Sequence, residues 1–294
     1  MSVEQTIPVE LEKHTKGQGI FADMRDGVDS ILGSIVSKSK YVPIHIAFIM
    51  DGNRRYAKKH KLEKGDGHVH GFQNMLSLLQ ACHFMGVKTV SVYAFSIENF
   101  NRSPEESEML FNMIRKNMWE ESSTGVIKQL GWRIKFVGRR SMFEDDILEK
   151  IEQIEELTKD GKSMVVNICA PYTTRDDICG AVIHAAKAYQ DDKSINVLNK
   201  IESSRYIDVG MPLDIMIRTS GATRFSDFMS WESDSNCMVS FIPEYWPELT
   251  ATRLYRIVIQ WQMQYAMRRE NDLSLSKLQN HPPLLSVSDK KKAK

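Results

Sequence analysis

Asp51, Gly52, Asn53, Arg54 and Arg55 follow directly on an apolar run that begins at His45 and ends at Met50. The run reads as a buried strand, and Asp-Gly-Asn suits a tight turn. The carboxylate can hold a hard cation such as Mg²⁺. The paired guanidinium groups can grip phosphate bidentately. Standing alone, the same residues would describe an exposed turn with solvated charges. Two further runs argue otherwise. Val87 to Phe95 empties into Ser96, Asn99 and Arg102, and Leu213 to Ile217 releases Arg218, Arg224 and Ser226. Parallel strands of an open α/β sheet share one C-terminal edge, and ligands bind there. Five arginines on that edge would repel one another unless they met dense negative charge. Two diphosphates and a Mg²⁺ meet that demand.

The elements that must position these loops can be read along the chain. Residues 1 to 19 are polar. Gly19 to Lys40 carries apolar residues at helical spacing on one face, which predicts a helix capping the domain or lying on a membrane surface. Lys58 to Gly67 reads as a basic, glycine-bearing connection, and His68 and Gly71 open a helix that Gly86 can cap. Ser103-Pro104-Glu105-Glu106 is a helix start, with Met109, Leu110, Met113, Ile114 and Met118 as its apolar face. That face serves either packing or the wall of an apolar pocket. Trp132 to Val137 is a third strand. Ser141 to Glu144 is a capping box for a helix reaching about Leu157. A strand over Met164 to Ala170 precedes Pro171-Tyr172-Thr173-Thr174-Arg175, and Thr174 can cap a helix through Tyr189. Cys237 to Ile242 is a sixth strand, and a last helix spans about Thr250 to Arg269.

Strands alternating with helices predict a single α/β domain with a mostly parallel six-stranded sheet flanked by helices. The expected limits are a tail and amphipathic helix over 1–41, a catalytic domain over 42–270 and a disordered basic tail over 271–294. The chain of 294 residues has a formal net charge of +1, so nothing global points to nucleic acid and any anion site must be local. None of the four cysteines forms a Cys-x-x-Cys pair, so neither a zinc site nor a disulfide framework is indicated. No apolar run approaches the ~20 residues of a spanning helix.

Some motifs fail on context. Gly161-Lys162-Ser163 resembles the end of a P-loop, but Glu156 stands where the first glycine belongs. Asp145-Asp146-Ile147-Leu148-Glu149 occurs once, on the polar side of an amphipathic helix. His68 and His70 are expected in a loop, as hydrogen-bonding or phosphate-contacting residues in preference to a metal pair.

The ordered motifs resemble the cis-prenyltransferases, the undecaprenyl and dehydrodolichyl diphosphate synthases. The resemblance rests on His45 to Tyr56, Gly67-His68, Tyr93 to Arg102, Ile217 to Gly221 with Arg224 and Ser226, and Trp246-Pro247-Glu248. It covers roughly residues 42 to 265 and looks closest to the eukaryotic catalytic subunits. It implies an enzyme that adds isopentenyl units from isopentenyl diphosphate to farnesyl diphosphate with cis geometry. The product implied is long-chain polyprenyl diphosphate for dolichol synthesis and protein glycosylation. By this resemblance Asp51, Asn53, Arg55, Ser96 and Asn99 are catalytic, and Asp51 holds Mg²⁺. The allylic diphosphate is expected on Asp51, Gly52, Asn53, Arg54, Arg55, His68 and Arg102. Isopentenyl diphosphate is expected on Asp51, Arg55, Arg102, Arg218, Arg224 and Ser226.

The sequence departs from the family pattern at Ala222, where a glutamate is common after the Arg-Thr-x-Gly run, and at Cys237 and Lys64, where bacterial members carry glutamate and arginine. It also has no Arg-x-Gly near residue 294, the motif that completes a partner's active site in the family. The resemblance therefore implies a Nogo-B-receptor-like accessory subunit that supplies it. It further implies peripheral contact with the cytoplasmic face of the endoplasmic reticulum membrane, or with lipid droplets.

Overall fold

A computed structural model describes residues 31–101, 108–109, 111–207, 212–233 and 236–279. Of the helix expected over 19–40, residues 31–38 are helical and the earlier part lies outside the described residues. Val36 packs into the core, and Gln262 donates from its amide nitrogen to the Tyr41 carbonyl at 2.6 Å.

The first strand, β1, is His45–Ile49, and every residue in it is buried. Helix α1, Asn53–His60, follows at once, with Gly52 as its left-handed cap (φ 107°). Helix α2 runs Lys64–Met85 and starts on a box between Glu63 and Asp66. The connection expected over Lys58 to Gly67 is therefore mostly helical, and two features of the sequence hide it. The α1 sequence buries only Ala57, so it carries no apolar period, and the glycines of early α2 argue against helix in a sequence. His68 and His70 therefore sit on a helix instead of in a loop. Strand β2 is Thr89–Tyr93, and a 3₁₀ turn covers Ile97–Asn101. The helix start expected at Ser103 lies outside the described residues.

Residues Met113–Met118 wind as a π-helix and continue into α3, Trp119–Ser123, and α4, Val126–Gln129. Strand β3 is Trp132–Val137. Helix α5, Asp145–Thr158, is capped at Glu144, so the Ser141 box does not start it; a 3₁₀ turn occupies Arg140–Met142. Strand β4 is Met164–Cys169. Helix α6, Thr174–Asp191, has Thr173 as its cap, whose side chain accepts from the Asp176 amide. Helix α7 is Val197–Ser203, and strands β5 and β6 are Ile215–Arg218 and Met238–Phe241. Helix α8, Ala251–Gln279, runs ten residues past the expected end at Arg269 and takes in the first part of the expected tail.

The six strands form one sheet in the order β3-β4-β2-β1-β5-β6, with every pair parallel. Along β1 the side chains alternate between two apolar layers. Ile46 and Phe48 enter one with Leu78, Val258 and Trp246. Ala47 and Ile49 enter the other with Met216, Tyr172 and Phe228. A sheet buried on both faces is why its strands read as continuous apolar runs. The register decides where the loops go: Ile49 is level with Tyr93 on one side and with Arg218 on the other. The chain therefore leaves β1, β2 and β5 at one height.

Candidate active site

A cavity of about 930 Å³ opens at that edge, within the range of small-molecule sites. Asp51, Gly52, Asn53, Arg54, Arg55, His68, Ser96, Asn99, Arg218, Arg224 and Ser226 all line it. Arg102 lies outside the described residues. Five cationic side chains (Arg54, Arg55, Lys58, Arg218 and Arg224) face one carboxylate, Asp51. Deeper, the wall is apolar: Phe72 and Met75 from α2, Phe95, and Met113, Ile114 and Met118 from the π-helix. The face that spacing left open between packing and pocket does both, since Ile114 and Met118 are also core residues.

Asp51 is held from behind. Its backbone N–H donates to Thr219 Oγ1 at 3.0 Å, and that hydroxyl donates back to the Asp51 carbonyl at 2.6 Å. The Trp246 amide adds a second donor to the same carbonyl at 3.0 Å. The carboxylate is shared: Oδ1 accepts from Arg55 at 3.3 Å and Oδ2 from Arg218 at 3.1 Å. Arg218 is 3% exposed and also donates to Ser226 Oγ at 2.8 Å and to the Arg224 carbonyl at 2.6 Å. Arg55 is anchored on the Ser220 hydroxyl and carbonyl, with the Tyr245 ring 5.6 Å from its guanidinium. Ser96 and Asn99 are joined by a bond from the Ser96 amide to Asn99 Oδ1 at 3.3 Å. Asn53 Oδ1 is buried and has no donor.

Helix α1 starts at the cavity, with Gly52, Asn53, Arg54 and Arg55 all on its wall, and a helix N-terminus favours an anion. Four non-glycine residues of the loop after β5 (Ser220, Ser226, Asp227 and Met229) have positive φ. Such conformations cost energy and persist where surrounding contacts hold them, commonly at sites of function. Four residues of the site have no role assigned by the sequence: Thr219 and Ser220, which hold Asp51 and Arg55, and Lys58 and Tyr93, which line the cavity. The one available signal was the position of Thr219 and Ser220 between the strand end and Gly221.

Among the described residues no group of three His, Cys, Asp or Glu side chains could hold a metal unaided. A lone carboxylate among five cationic side chains nevertheless suits Mg²⁺, which takes one or two carboxylates, substrate phosphates and water.

The sheet and its flanking helices match known prenyl diphosphate synthases. Lavandulyl diphosphate synthase from Lavandula x intermedia, solved with dimethylallyl diphosphate, superposes with a TM-score of 0.66 at 24% identity, over 75% of this chain and 95% of that one. A probable undecaprenyl diphosphate synthase from Campylobacter jejuni gives 0.60 at 26% identity, over 76% and 96%. The family model described as putative undecaprenyl diphosphate synthase matches residues 49–269, and the chain belongs to that family of cis-prenyltransferases. Its relatives include dehydrodolichyl diphosphate synthase complex subunits. That of Schizosaccharomyces pombe is 37% identical over 81% of this chain and 92% of its own length. The human subunit is 37% identical over 79% and 71%.

Proposed function

We propose that the chain is the catalytic subunit of a dehydrodolichyl diphosphate synthase, elongating farnesyl diphosphate with isopentenyl diphosphate into a long cis-polyprenyl diphosphate. The observation that carries this reading is the pairing of five cations and one carboxylate with an apolar-walled cavity. A diphosphate head and a growing hydrocarbon tail fit the two halves.

The allylic diphosphate would lie over the first turn of α1, against Gly52, Asn53, Arg54, Arg55 and His68, with Arg102 completing the set. Isopentenyl diphosphate would lie on Arg218, Arg224 and Ser226. The isopentenyl double bond attacks the allylic carbon while the carbon–oxygen bond to diphosphate breaks. A proton then leaves the isopentenyl unit for an oxygen of the bound diphosphates. Arg55 keeps its charge at every stage and so stabilises the developing negative charge. Arg218 shares Asp51 with Arg55, which keeps the two diphosphate sites in contact. Asn53 lies on the cavity wall, its Oδ1 buried against Gly71 without a donor, and Ser96 and Asn99 contribute polar groups from the loop after β2. Mg²⁺ held by Asp51 would neutralise charge on the departing diphosphate.

A Nogo-B-receptor-like accessory subunit completes the site with an Arg-x-Gly motif in this reading. Two things support a partner. The fungal and human relatives are named as subunits of a complex. Here β6 also ends the sheet, with Phe241 exposed; such edges are sites of association. We place the complex peripherally on the cytoplasmic face of the endoplasmic reticulum membrane or on lipid droplets. No helix among the described residues is long and apolar enough to cross a membrane.

The test is isopentenyl incorporation with farnesyl diphosphate and Mg²⁺, using the chain alone, the chain with the accessory subunit, and Asp51→Ala. Activity requiring the subunit and lost in Asp51→Ala is expected. Full-rate synthesis by the chain alone would discard the heteromer. Inactivity in every mixture would discard the catalytic reading.

A further inference from the structure

The turn after β4, Pro171 to Arg175, does not line the cavity, yet it touches both loops that do. Tyr172 forms a parallel bridge with Ser96, its amide donating to the Phe95 carbonyl at 3.1 Å. On the other side Thr174 grips the loop after β5. Its amide donates to the Asp227 carbonyl at 2.8 Å, and its hydroxyl reaches the same carbonyl at 3.1 Å. That hydroxyl also accepts from the Ser230 amide at 3.0 Å. Thr174 is 3% exposed. Arg175 then spans the gap: Nε to Asp227 Oδ2 at 2.8 Å and a terminal nitrogen to Glu98 Oε1 at 3.0 Å.

Asp227 follows Ser226 directly, and both hold left-handed conformations (φ 58° and 51°), uncommon outside glycine and better tolerated by Asp than by Ser. Local strain of this kind persists only where neighbours over-determine it. The neighbours here are Thr174, Arg175 and Tyr93, whose hydroxyl lies 3.1 Å from the Ser226 carbonyl. Glu98 lies in the 3₁₀ turn beside Asn99.

We propose that Thr174 and Arg175 are positioning residues for isopentenyl diphosphate: Thr174 fixes the Ser226 loop, and Arg175 ties it to the Asn99 loop on the allylic side. This rests on the assignment of isopentenyl diphosphate to Arg218, Arg224 and Ser226. Neither residue touches substrate, so the effect is one of placement. Thr174→Val keeps shape and volume while removing both hydroxyl bonds, and Thr174→Ser keeps the bonds. Arg175 is largely exposed and its ion pairs are weak, so its removal has the smaller effect.

The experiment measures KM for each substrate, kcat and Tm in the full chain co-purified with its accessory subunit, for Thr174→Val, Thr174→Ser, Arg175→Met and Ser226→Ala. Thr174→Val is expected to raise the isopentenyl diphosphate KM about tenfold and Arg175→Met two- to threefold. The farnesyl diphosphate KM should stay within twofold, and Thr174→Ser should restore the wild-type value. If Ser226→Ala raises the isopentenyl KM but Thr174→Val does not, the positioning role is overturned. It is also overturned if Thr174→Val raises both KM values equally or only lowers Tm. An unchanged isopentenyl KM in Ser226→Ala overturns the assignment of the subsite itself, and the proposal with it.

Discussion

Gly52→Ala tests whether the junction of β1 and α1 sets the geometry of the site. Gly52 has φ 107°, a conformation that costs an L-residue about 1–2 kcal/mol. A Cβ there would also lie 2.9 Å from Tyr245 Cδ1 and 3.1 Å from both Tyr245 Cβ and Ser220 Cβ. Relieving such overlap costs about 1–3 kcal/mol. The total of roughly 2–5 kcal/mol corresponds to a Tm lower by about 3–8 °C for a chain of this size. The two neighbours that must move are those that hold Arg55: Ser220 by hydrogen bonds and Tyr245 by its ring face. The loss should therefore fall on allylic substrate binding as well as on stability. Gly221→Ala is the control. It has φ 71° and no atom within 4 Å of an added Cβ, so it carries the backbone cost alone. The assay is a thermal melt of both variants with KM for farnesyl diphosphate. Equal Tm losses in the two variants, with no rise in KM for Gly52→Ala, would refute the packing argument.

Three further outcomes are expected. Arg218→Lys loses the fork that reaches Asp51, Ser226 and the Arg224 carbonyl together. One lost charge-assisted bond at about 1.5–3 kcal/mol lowers kcat/KM roughly 10- to 100-fold, and a loss under threefold would contradict it. Met118→Trp narrows the apolar wall and should shift products to shorter chains with the first addition retained; unchanged product lengths by chromatography would remove the wall from that role. Burial raises the Asp214 carboxyl pKa, despite bonds from the Ile44 and His45 amides at 2.6 and 3.1 Å. The folded protein then holds that proton more tightly than the unfolded chain, so this residue's contribution to stability falls as pH rises from the ordinary carboxylate range (~3.9) through the raised value. Asp214→Asn should flatten that stretch of the stability–pH curve in denaturant titrations, and an unaltered slope would count against it.

The strands were readable because burial on both faces writes them as apolar runs; Trp132–Val137 appears in the structure with the limits the sequence suggested. The site loops were readable because they follow those runs. Helix α1 was not, since Asn-Arg-Arg-Tyr-Ala-Lys-Lys-His buries one residue and owes its start to the left-handed Gly52. The start of α2 was hidden by glycines that serve packing: a Cβ on Gly67 would lie 2.4 Å from the Asn53 carbonyl oxygen. The positive φ angles of Ser226, Asp227 and Met229 leave no mark in residue type, because contacts from distant turns impose them. Glu144 took the cap that Ser141 seemed to offer, a competition that spacing alone does not resolve.

The π-helical stretch Met113–Met118 stores one residue more than an α-helical path of the same length requires. A deletion elsewhere in a helix rotates everything beyond it by about 100°. A deletion here can be absorbed by rewinding the stretch to α-form. Trp119, clamped by the Lys150 ammonium 4.1 Å from its ring centroid, and the buried Ile127 would keep their places. The wall of the cavity is thus a helical stretch that can lose a single codon without turning the helix beyond it, and a lineage could resize its product by that route in one mutational step.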